Sequence, residues 1–270
     1  MKQYFICLAN SFKYGGRCVA GIEIVFKEPV FASFDAARNI QSLTAIIFGI
    51  PEKDSLDNNG RPVLPCLMES GSTWNTNDSK YSIIKNEDGT PKWIRPVSCE
   101  EHRELSTFET QNINILDIVE IEDTENCPDF AHSENVYYSS LKKSGKKIEQ
   151  NANNFNNLCD NTHSKIFFNK GKAVPTDVFQ QNGHSLMFIK IPNCTFYNDE
   201  NEKLRVKFSY NGIDYDLPVT DPAFINYMQV KGLDHINTCK NYYFTISLGE
   251  EFEGWHYKLV AGVLSIPASR

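Results

Sequence analysis

Apolar and polar residues alternate most regularly in the last third of the chain. This period-two pattern predicts five strands, at residues 185–191, 204–210, 213–219, 242–248 and 257–266. The second and third strands are separated by Asn211 and Gly212, the residue pair that a two-residue hairpin turn favours. We therefore predict a β hairpin at this point.

A helix is predicted between the third and fourth of these strands. Asp221 is suited to cap its start, and Pro222 fits the first helical position because its missing N–H has no partner to lose there. The helix continues to residue 230 and ends near Gly232. The resulting order, β-β-β-α-β-β, is that of an OB fold, a five-stranded Greek-key barrel. A small unrelated α+β sheet has the same order, so the order alone does not separate the two.

The N-terminal part of the chain has a similar but weaker pattern. It predicts strands at residues 4–8, 18–26, 92–97 and 113–121. The loop between the first two is polar and basic and contains Gly15 and Gly16. Glycine adopts positive φ at a strand connection, and it lets a ligand approach the backbone closely. This loop is therefore either an ordinary hairpin turn or an edge that binds a ligand.

The predicted fold class is mainly β with short helices, arranged as two OB-like five-stranded barrels in tandem. We expect an N-terminal OB-like domain at residues 1–138 with an insertion around 30–90, a polar, lysine-rich connector at 139–178, and a C-terminal OB-like domain at 179–270. A length of 270 residues accommodates one large domain or two of average size, so length does not decide the number.

Charge and composition narrow the classes of function. The formal charge of −7 argues against general affinity for nucleic acid, although the lysine-rich stretch at 138–172 leaves room for a local basic surface. The longest apolar runs, such as residues 43–50, are too short to cross a bilayer. Because the N-terminus also lacks a signal-peptide pattern, we expect a cytoplasmic protein without a membrane segment. The eight dispersed cysteines form no CxxC pair, and we predict no metal site.

Several short blocks resemble the dual OB-fold-containing domain family, which occurs in prokaryotic conflict and defence settings. The blocks that carry the resemblance are CLANS at 7–11, GGRCVAG at 15–21, WIRPVS at 93–98, VTDP at 219–222, SLGE at 247–250 and YKLVA at 257–261. The resemblance implies two barrels and a role in sensing nucleic acid or a nucleotide. Residues 30–90 and 125–180 take little part in it.

Five residues form the predicted nucleic-acid-binding site. An OB barrel offers one strand face and its loops to single strands, where aromatic rings stack on bases and cationic side chains pair with phosphates. Lys13, Tyr14 and Arg17 belong to the glycine loop, while Trp93 and Arg95 alternate along a strand and so share a face. As alternatives, Trp93 is a core aromatic residue and Arg95 satisfies neighbouring carbonyls.

The function predicted from these features is a noncatalytic intracellular module that binds single-stranded nucleic acid or a nucleotide, as a sensor in a prokaryotic defence system. The alternatives are an adaptor that docks an effector protein and, third, a nucleotide-processing enzyme. The chain has no nucleophile elbow, Walker loop or HExxH motif, and we predict no cofactor. Lys258 is expected to pair with an acidic residue across a hairpin.

Overall fold

The computed structural model describes residues 2–13, 15–26, 73–74, 81–99, 104–129, 132–160, 162–179, 184–238 and 241–266. Over these residues the chain is mainly β with short helices, as predicted. Most of the insertion predicted around residues 30–90 lies outside the described residues.

The N-terminal half of the fold consists of nine strands of one sheet. They are β1 (Lys2–Lys13), β2 (Gly16–Phe26), β3 (Thr73–Trp74), β4 (Tyr81–Ile83), β5 (Trp93–Pro96), β6 (Asp117–Glu122), β7 (Glu125–Asn126), β8 (Asn135–Tyr137) and β9 (Ser140–Ile148). β1 pairs antiparallel with both β2 and β6, and β6 pairs with β9. β2 pairs with β5, which in turn runs parallel to β8. β9 follows β8 directly in sequence. The pairing therefore runs from β6 through β1, β2 and β5 to β8, and β9 returns it to β6.

The C-terminal half contains two smaller sheets. Their strands are β10 (Ala173–Pro175), β11 (Leu186–Ile191), β12 (Cys194–Asn198), β13 (Leu204–Tyr210), β14 (Ile213–Pro218), β15 (Tyr242–Phe252) and β16 (Trp255–Ser265). One sheet has the order β10-β16-β15-β11 and the other β12-β13-β14. A parallel bridge between Val219, just after β14, and Val260 of β16 joins the two sheets.

Short helices occupy the connections between strands. They are α1 (Thr107–Thr110), α2 (Ala152–Leu158), α3 (Thr176–Phe179), α4 (Pro222–Lys231) and α5 (Leu233–Thr238), with a 3₁₀ turn at Ile166–Phe168. α1 lies between β5 and β6, and α4 lies between β14 and β15. Each half therefore places a helix in the connection between two of its strands.

The strongest local predictions are confirmed. Asn211 and Gly212 have φ values of 50° and 75°, the positive values of a two-residue hairpin turn between β13 and β14. The Asp221 carboxylate accepts hydrogen bonds from the N–H groups of Ala223 and Phe224 and caps α4 as expected. Its second oxygen accepts from Val263 N–H at 2.9 Å, which ties the cap to β16.

The first lysines of the predicted connector at 139–178 lie in a strand. Ser140–Ile148 is β9, which pairs with the acidic strand β6. Lys142 lies 3.0 Å from Glu120, and Lys143 lies 3.0 Å from Asp117. These lysines are therefore largely neutralised by neighbouring carboxylates. The domain boundaries themselves stay a prediction.

Three apolar clusters form the core. One fills the C-terminal half and another the N-terminal half, the latter around Phe5, Val19 and Ile94. The third, which we call the shared core, contains residues of both halves, among them Ile22 and Trp93 from one and Phe188 and Tyr243 from the other. Burial of this apolar surface holds the halves together.

The two halves approach most closely where two β bulges meet. Leu8 is the extra residue on β1 and Ala261 the extra residue on β16, and both belong to the shared core. The hydroxyl of Thr245 donates to the Leu8 carbonyl at 2.6 Å. A Cβ on Gly262 would lie 2.2 Å from the same carbonyl oxygen, so only glycine fits this contact.

We predict that Gly262→Ala destabilises the protein by about 1–3 kcal/mol, because the added methyl group overpacks a contact made by backbone atoms. Gly249→Ala on the same hairpin is the matched control, since its Cβ would meet its nearest atom at an ordinary 3.6 Å. Denaturant unfolding measures both variants. Equal stabilities for the two would contradict the close approach described above.

Lys258 was predicted to pair with an acidic residue, but the structure buries its side chain among backbone carbonyls instead. It is 1% exposed, and its ammonium donates to the backbone carbonyls of Asn169 and Gly171 at 3.1 and 2.8 Å. Its Nζ also lies 5.0 Å from the centre of the Tyr215 ring. Burial lowers the pKa of Lys258 to about 7. The side chain fixes the turn that follows Ile166–Phe168.

This pKa predicts that stability rises with pH above 7. Unfolded lysine keeps its proton up to about pH 10.5, so between these values the unfolded state binds more protons than the folded state. Stability therefore increases by up to about 1 kcal/mol per pH unit between pH 7 and pH 9. Lys258→Met removes this contribution.

The measurement is the difference in unfolding free energy between the two proteins at each pH. The buried thiols of Cys7 and Cys159, whose pKa values burial raises, act in the opposite direction but cancel in this difference. A difference that stays constant from pH 7 to pH 9 would show that the buried lysine does not titrate in this range.

Candidate functional site

A cavity of about 250 Å³ lies between the two halves. We call it the central cleft. The N-terminal half contributes Ser11, Phe12, Cys18, Arg95 and His132 to its lining, and the C-terminal half contributes residues 247–250 and Leu259. Because strands of both halves form its walls, the central cleft exists only when the halves are docked.

Arg95 is the cation of the central cleft. It lies on β5, is 5% exposed, and faces the C-terminal half. Its Nη2 lies 2.8 Å from Glu134 Oε1 and donates to Ser185 Oγ at 2.8 Å, with Ser247 Oγ at 3.4 Å. Its backbone N–H donates to the Glu134 carbonyl at 2.9 Å. The guanidinium is thus held by a carboxylate of its own half and two hydroxyls of the other.

One donor group of this arginine has no partner. Nε of Arg95 is buried and makes no hydrogen bond to any residue that the structure describes. A buried donor without a partner costs roughly 1–3 kcal/mol, so such groups are rare unless a ligand or water satisfies them. This donor lies beside the central cleft, where an acceptor atom of a bound molecule could satisfy it.

Ser185 connects His132 to the ion pair. The Ser185 hydroxyl donates to Glu134 Oε1, and His132 Nδ1 lies 2.7 Å from the same hydroxyl oxygen. A serine has one proton to donate, so His132 Nδ1 must carry the proton of the second hydrogen bond. A nucleophilic serine requires the opposite arrangement, in which histidine accepts its proton. Ser185, which is fully buried, therefore does not have the geometry of an activated nucleophile.

An aromatic side chain and a second arginine lie at the edge of the central cleft. Phe12, on β1, is 56% exposed, and the guanidinium carbon of Arg17 lies 4.1 Å from the centre of its ring. The two residues are register partners across the β1–β2 hairpin. They form a cation–π pair whose phenylalanine ring is exposed, an arrangement on which a planar base can stack.

The structure brings together only part of the predicted site. Arg95 lines the central cleft, whereas Arg17 lines a neighbouring cavity of about 620 Å³ that also includes Lys147 and Asp221. Trp93 is 6% exposed and packs in the shared core, which agrees with the alternative that it is a core aromatic residue. Tyr14 and the side chain of Lys13 lie outside the described residues. Binding by these five residues stays a prediction.

Sequence reasoning missed the other members of the polar cluster. His132, Glu134, Ser185 and Ser247 belong to no shared motif. Arg95 is 90 residues from Ser185 and 152 from Ser247 in sequence. The only local signal was an arginine on an otherwise buried strand, which requires an acidic partner somewhere in the fold.

The chain belongs to the dual OB-containing domain family. The family model matches residues 75–263, which is more than half of the chain. OB folds generally bind nucleic acids or small ligands, and the membership places the protein in that broad class. Comparison with curated proteins gives no match, and comparison with solved structures gives none either. Among the described helices none has the length and apolar character needed to span a membrane.

The buried ion pair makes a testable prediction about stability. Glu134→Gln leaves the buried Arg95 charge without its counter-ion, and we expect a loss of about 3–5 kcal/mol. The control is Asp216→Asn, which breaks the partly exposed Arg205–Asp216 pair and costs about 1 kcal/mol or less. Denaturant unfolding compares the two.

A third protein separates the charge from the loss of packing. The double variant Arg95→Met, Glu134→Leu removes both charges together and is expected to be more stable than Glu134→Gln alone. If Glu134→Gln costs no more than Asp216→Asn, the buried charge of Arg95 does not depend on Glu134 for its stabilisation.

Proposed function

We propose that the protein binds single-stranded nucleic acid or a nucleotide in the central cleft and at its edge. The observation that carries this proposal is the buried Arg95, whose Nε has no partner among the described residues and lies beside a cavity between the halves. The protein acts as a noncatalytic recognition module. A sensor role in prokaryotic defence rests on the family resemblance alone.

We further propose that each half is an OB barrel. In the C-terminal half, β11 and β12 act as one bent first strand, which pairs with β15 and β13 respectively. The parallel bridge from Val219 to Val260 then closes the circuit. In the N-terminal half, β8 and β9 act as one bent last strand that pairs with β5 and β6. The helix positions in both halves agree with a five-stranded Greek-key barrel.

The size and chemistry of the central cleft favour one flat, polar group. Its volume of about 250 Å³ is below the usual range for drug-sized ligands but accommodates a single base. Apolar contact comes from Leu248 and Leu259, and hydrogen bonding comes from Arg95 and Ser247. At the edge of the cleft, Phe12 offers a ring for stacking and Arg17 a positive charge for a phosphate.

The test is a binding panel measured by fluorescence anisotropy with single-stranded DNA, single-stranded RNA, duplex DNA and labelled nucleotides. Measurements at about 50 and about 200 mM salt separate phosphate contacts from other contributions, because each neutralised phosphate steepens the salt dependence. We expect binding to the single strands or the nucleotide and weaker binding to the duplex.

Two variants at residues outside the Arg95 cluster test the edge without disturbing the buried ion pair. Phe12→Ala should weaken binding by about tenfold or more, the effect of losing one stacked base, and Arg17→Ala should lower the salt slope by about one. The controls are Phe108→Ala, whose ring is 82% exposed on α1, and Lys207→Ala, which removes a comparable cation–π pair with Tyr197.

Equal affinity in the variants and their controls would contradict the assignment of the edge. Recovery of a stoichiometric protein partner, together with no binding to any member of the panel, would favour the adaptor alternative. Turnover of a nucleotide during the measurement would favour an enzyme.

A further inference from the structure

Two histidines and one aspartate converge on the C-terminal side of the molecule. Asp160, His163 and His184 each offer a donor atom, and these atoms lie within 4.8 Å of one another. Asp160 Oδ2 and His163 Nδ1 are 3.0 Å apart, and the rings of His163 and His184 have centroids 5.2 Å apart. Ligands of a tetrahedral ion at about 2 Å from its centre lie about 3.3 Å apart, close to the separation of Asp160 Oδ2 and His163 Nδ1, and the donor atom of His184 lies within 4.8 Å of both residues' donor atoms.

The backbone holds these side chains from two elements. Asp160 follows α2, and its N–H donates to the Phe188 carbonyl of β11 at 2.8 Å. His184 lies just before the start of β11, so the same strand positions both residues. The sequence showed no metal pattern because His184 is far from the other two residues along the chain.

The aspartate is oriented by a neighbouring threonine. Thr162 donates to Asp160 Oδ1 from its N–H at 3.0 Å and from its hydroxyl at 2.8 Å. The other carboxylate oxygen, Oδ2, then faces His163. Metal ligands in proteins are commonly fixed in this way by a second group that binds the atom not used for the metal. The Asp160 carboxylate is 3% exposed, and a buried negative charge is costly unless a cation or hydrogen bonds compensate it.

Aromatic rings enclose the two imidazoles. The Phe168 ring lies 5.0 Å from His163, and both Phe168 and Phe167 lie 6.0 Å from His184. Phe167 and Phe168 have φ values of 47° and 65°, a conformation that is costly for aromatic residues. Two rings are therefore held against this cluster at the cost of backbone strain.

The strained turn is fixed from its far side. The Tyr215 hydroxyl accepts from Ile166 N–H at 3.2 Å and donates to the Asn169 carbonyl at 3.1 Å. Lys258 donates to that same carbonyl. The two phenylalanines are thus held between fixed points, and the imidazoles they contact are held with them.

We propose that Asp160, His163 and His184 bind one divalent transition-metal ion. Two imidazole nitrogens and one carboxylate oxygen are ligands that suit zinc, and they also suit cobalt as its spectroscopic substitute. Three protein ligands leave a position for water or for an atom of a bound molecule. His184 and Ser185 are consecutive, so this site is joined to the Arg95 cluster by a single peptide bond.

The test uses the full chain after dialysis against a chelator. Zinc is titrated by calorimetry, and cobalt is titrated by visible absorption spectroscopy. We expect one ion per chain and a cobalt spectrum of nitrogen and oxygen ligands, without the thiolate charge-transfer bands that the cysteines of this chain would produce. Zinc should also raise the melting temperature, because it binds only the folded protein.

The variants are Asp160→Asn, His163→Gln and His184→Gln. Each should lose about tenfold or more in affinity, the effect seen even when a group that only orients a metal ligand is removed. His235→Gln is the matched control, since this exposed histidine contacts Tyr227 on a different helix. Circular dichroism shows which variants remain folded, and the cobalt spectrum of the unaltered protein decides the matter if some do not.

Three results would overturn the proposal. They are thiolate bands in the cobalt spectrum, the absence of saturable binding of one ion, and folded variants that bind as tightly as the His235→Gln control. The last result would leave the cluster as a hydrogen bond between Asp160 and His163 packed against aromatic rings.

Discussion

A single buried guanidinium joins the two halves of this protein. Taking Arg95 out of water costs several kcal/mol, and the cost is offset only when Glu134 of its own half and the hydroxyls of Ser185 and Ser247 surround it. Two of these three partners belong to the other half. Correct docking of the halves is therefore a condition for satisfying the charge. The same side chain lines the central cleft, so the element that aligns the halves also provides the chemistry of the cleft.

Apolar contacts supply the stability that this polar contact lacks. The shared core buries residues of both halves, and the backbones meet at Leu8 and Gly262 without intervening side chains. Such a close approach leaves little freedom for sliding, because interiors are packed as densely as crystals. The proposed ligand would then meet walls that are already in place, which lowers the entropy cost of binding.

Much of the local structure could be predicted from the sequence, whereas the cleft could not. Asn211 and Gly212 specify their hairpin, and Asp221 specifies a helix start, because each acts on residues next to it. β12 was not predicted because Pro192 and Asn193 interrupt the strand pattern between β11 and β12. The partners of Arg95 are distant in sequence. Lys258 donates to backbone carbonyls, and no residue pattern predicts such contacts. Interactions of this kind depend on the folded arrangement of distant segments.

The central claim is that the ligand binds where the two halves meet, and hydrogen exchange measured by mass spectrometry tests it most directly. Exchange is compared with and without a single-stranded oligonucleotide or nucleotide that binds. The account predicts joint protection of backbone amides at residues 11–18 and 93–97 in one half and 247–250 in the other. Protection confined to one half, or located away from all three segments, would contradict it.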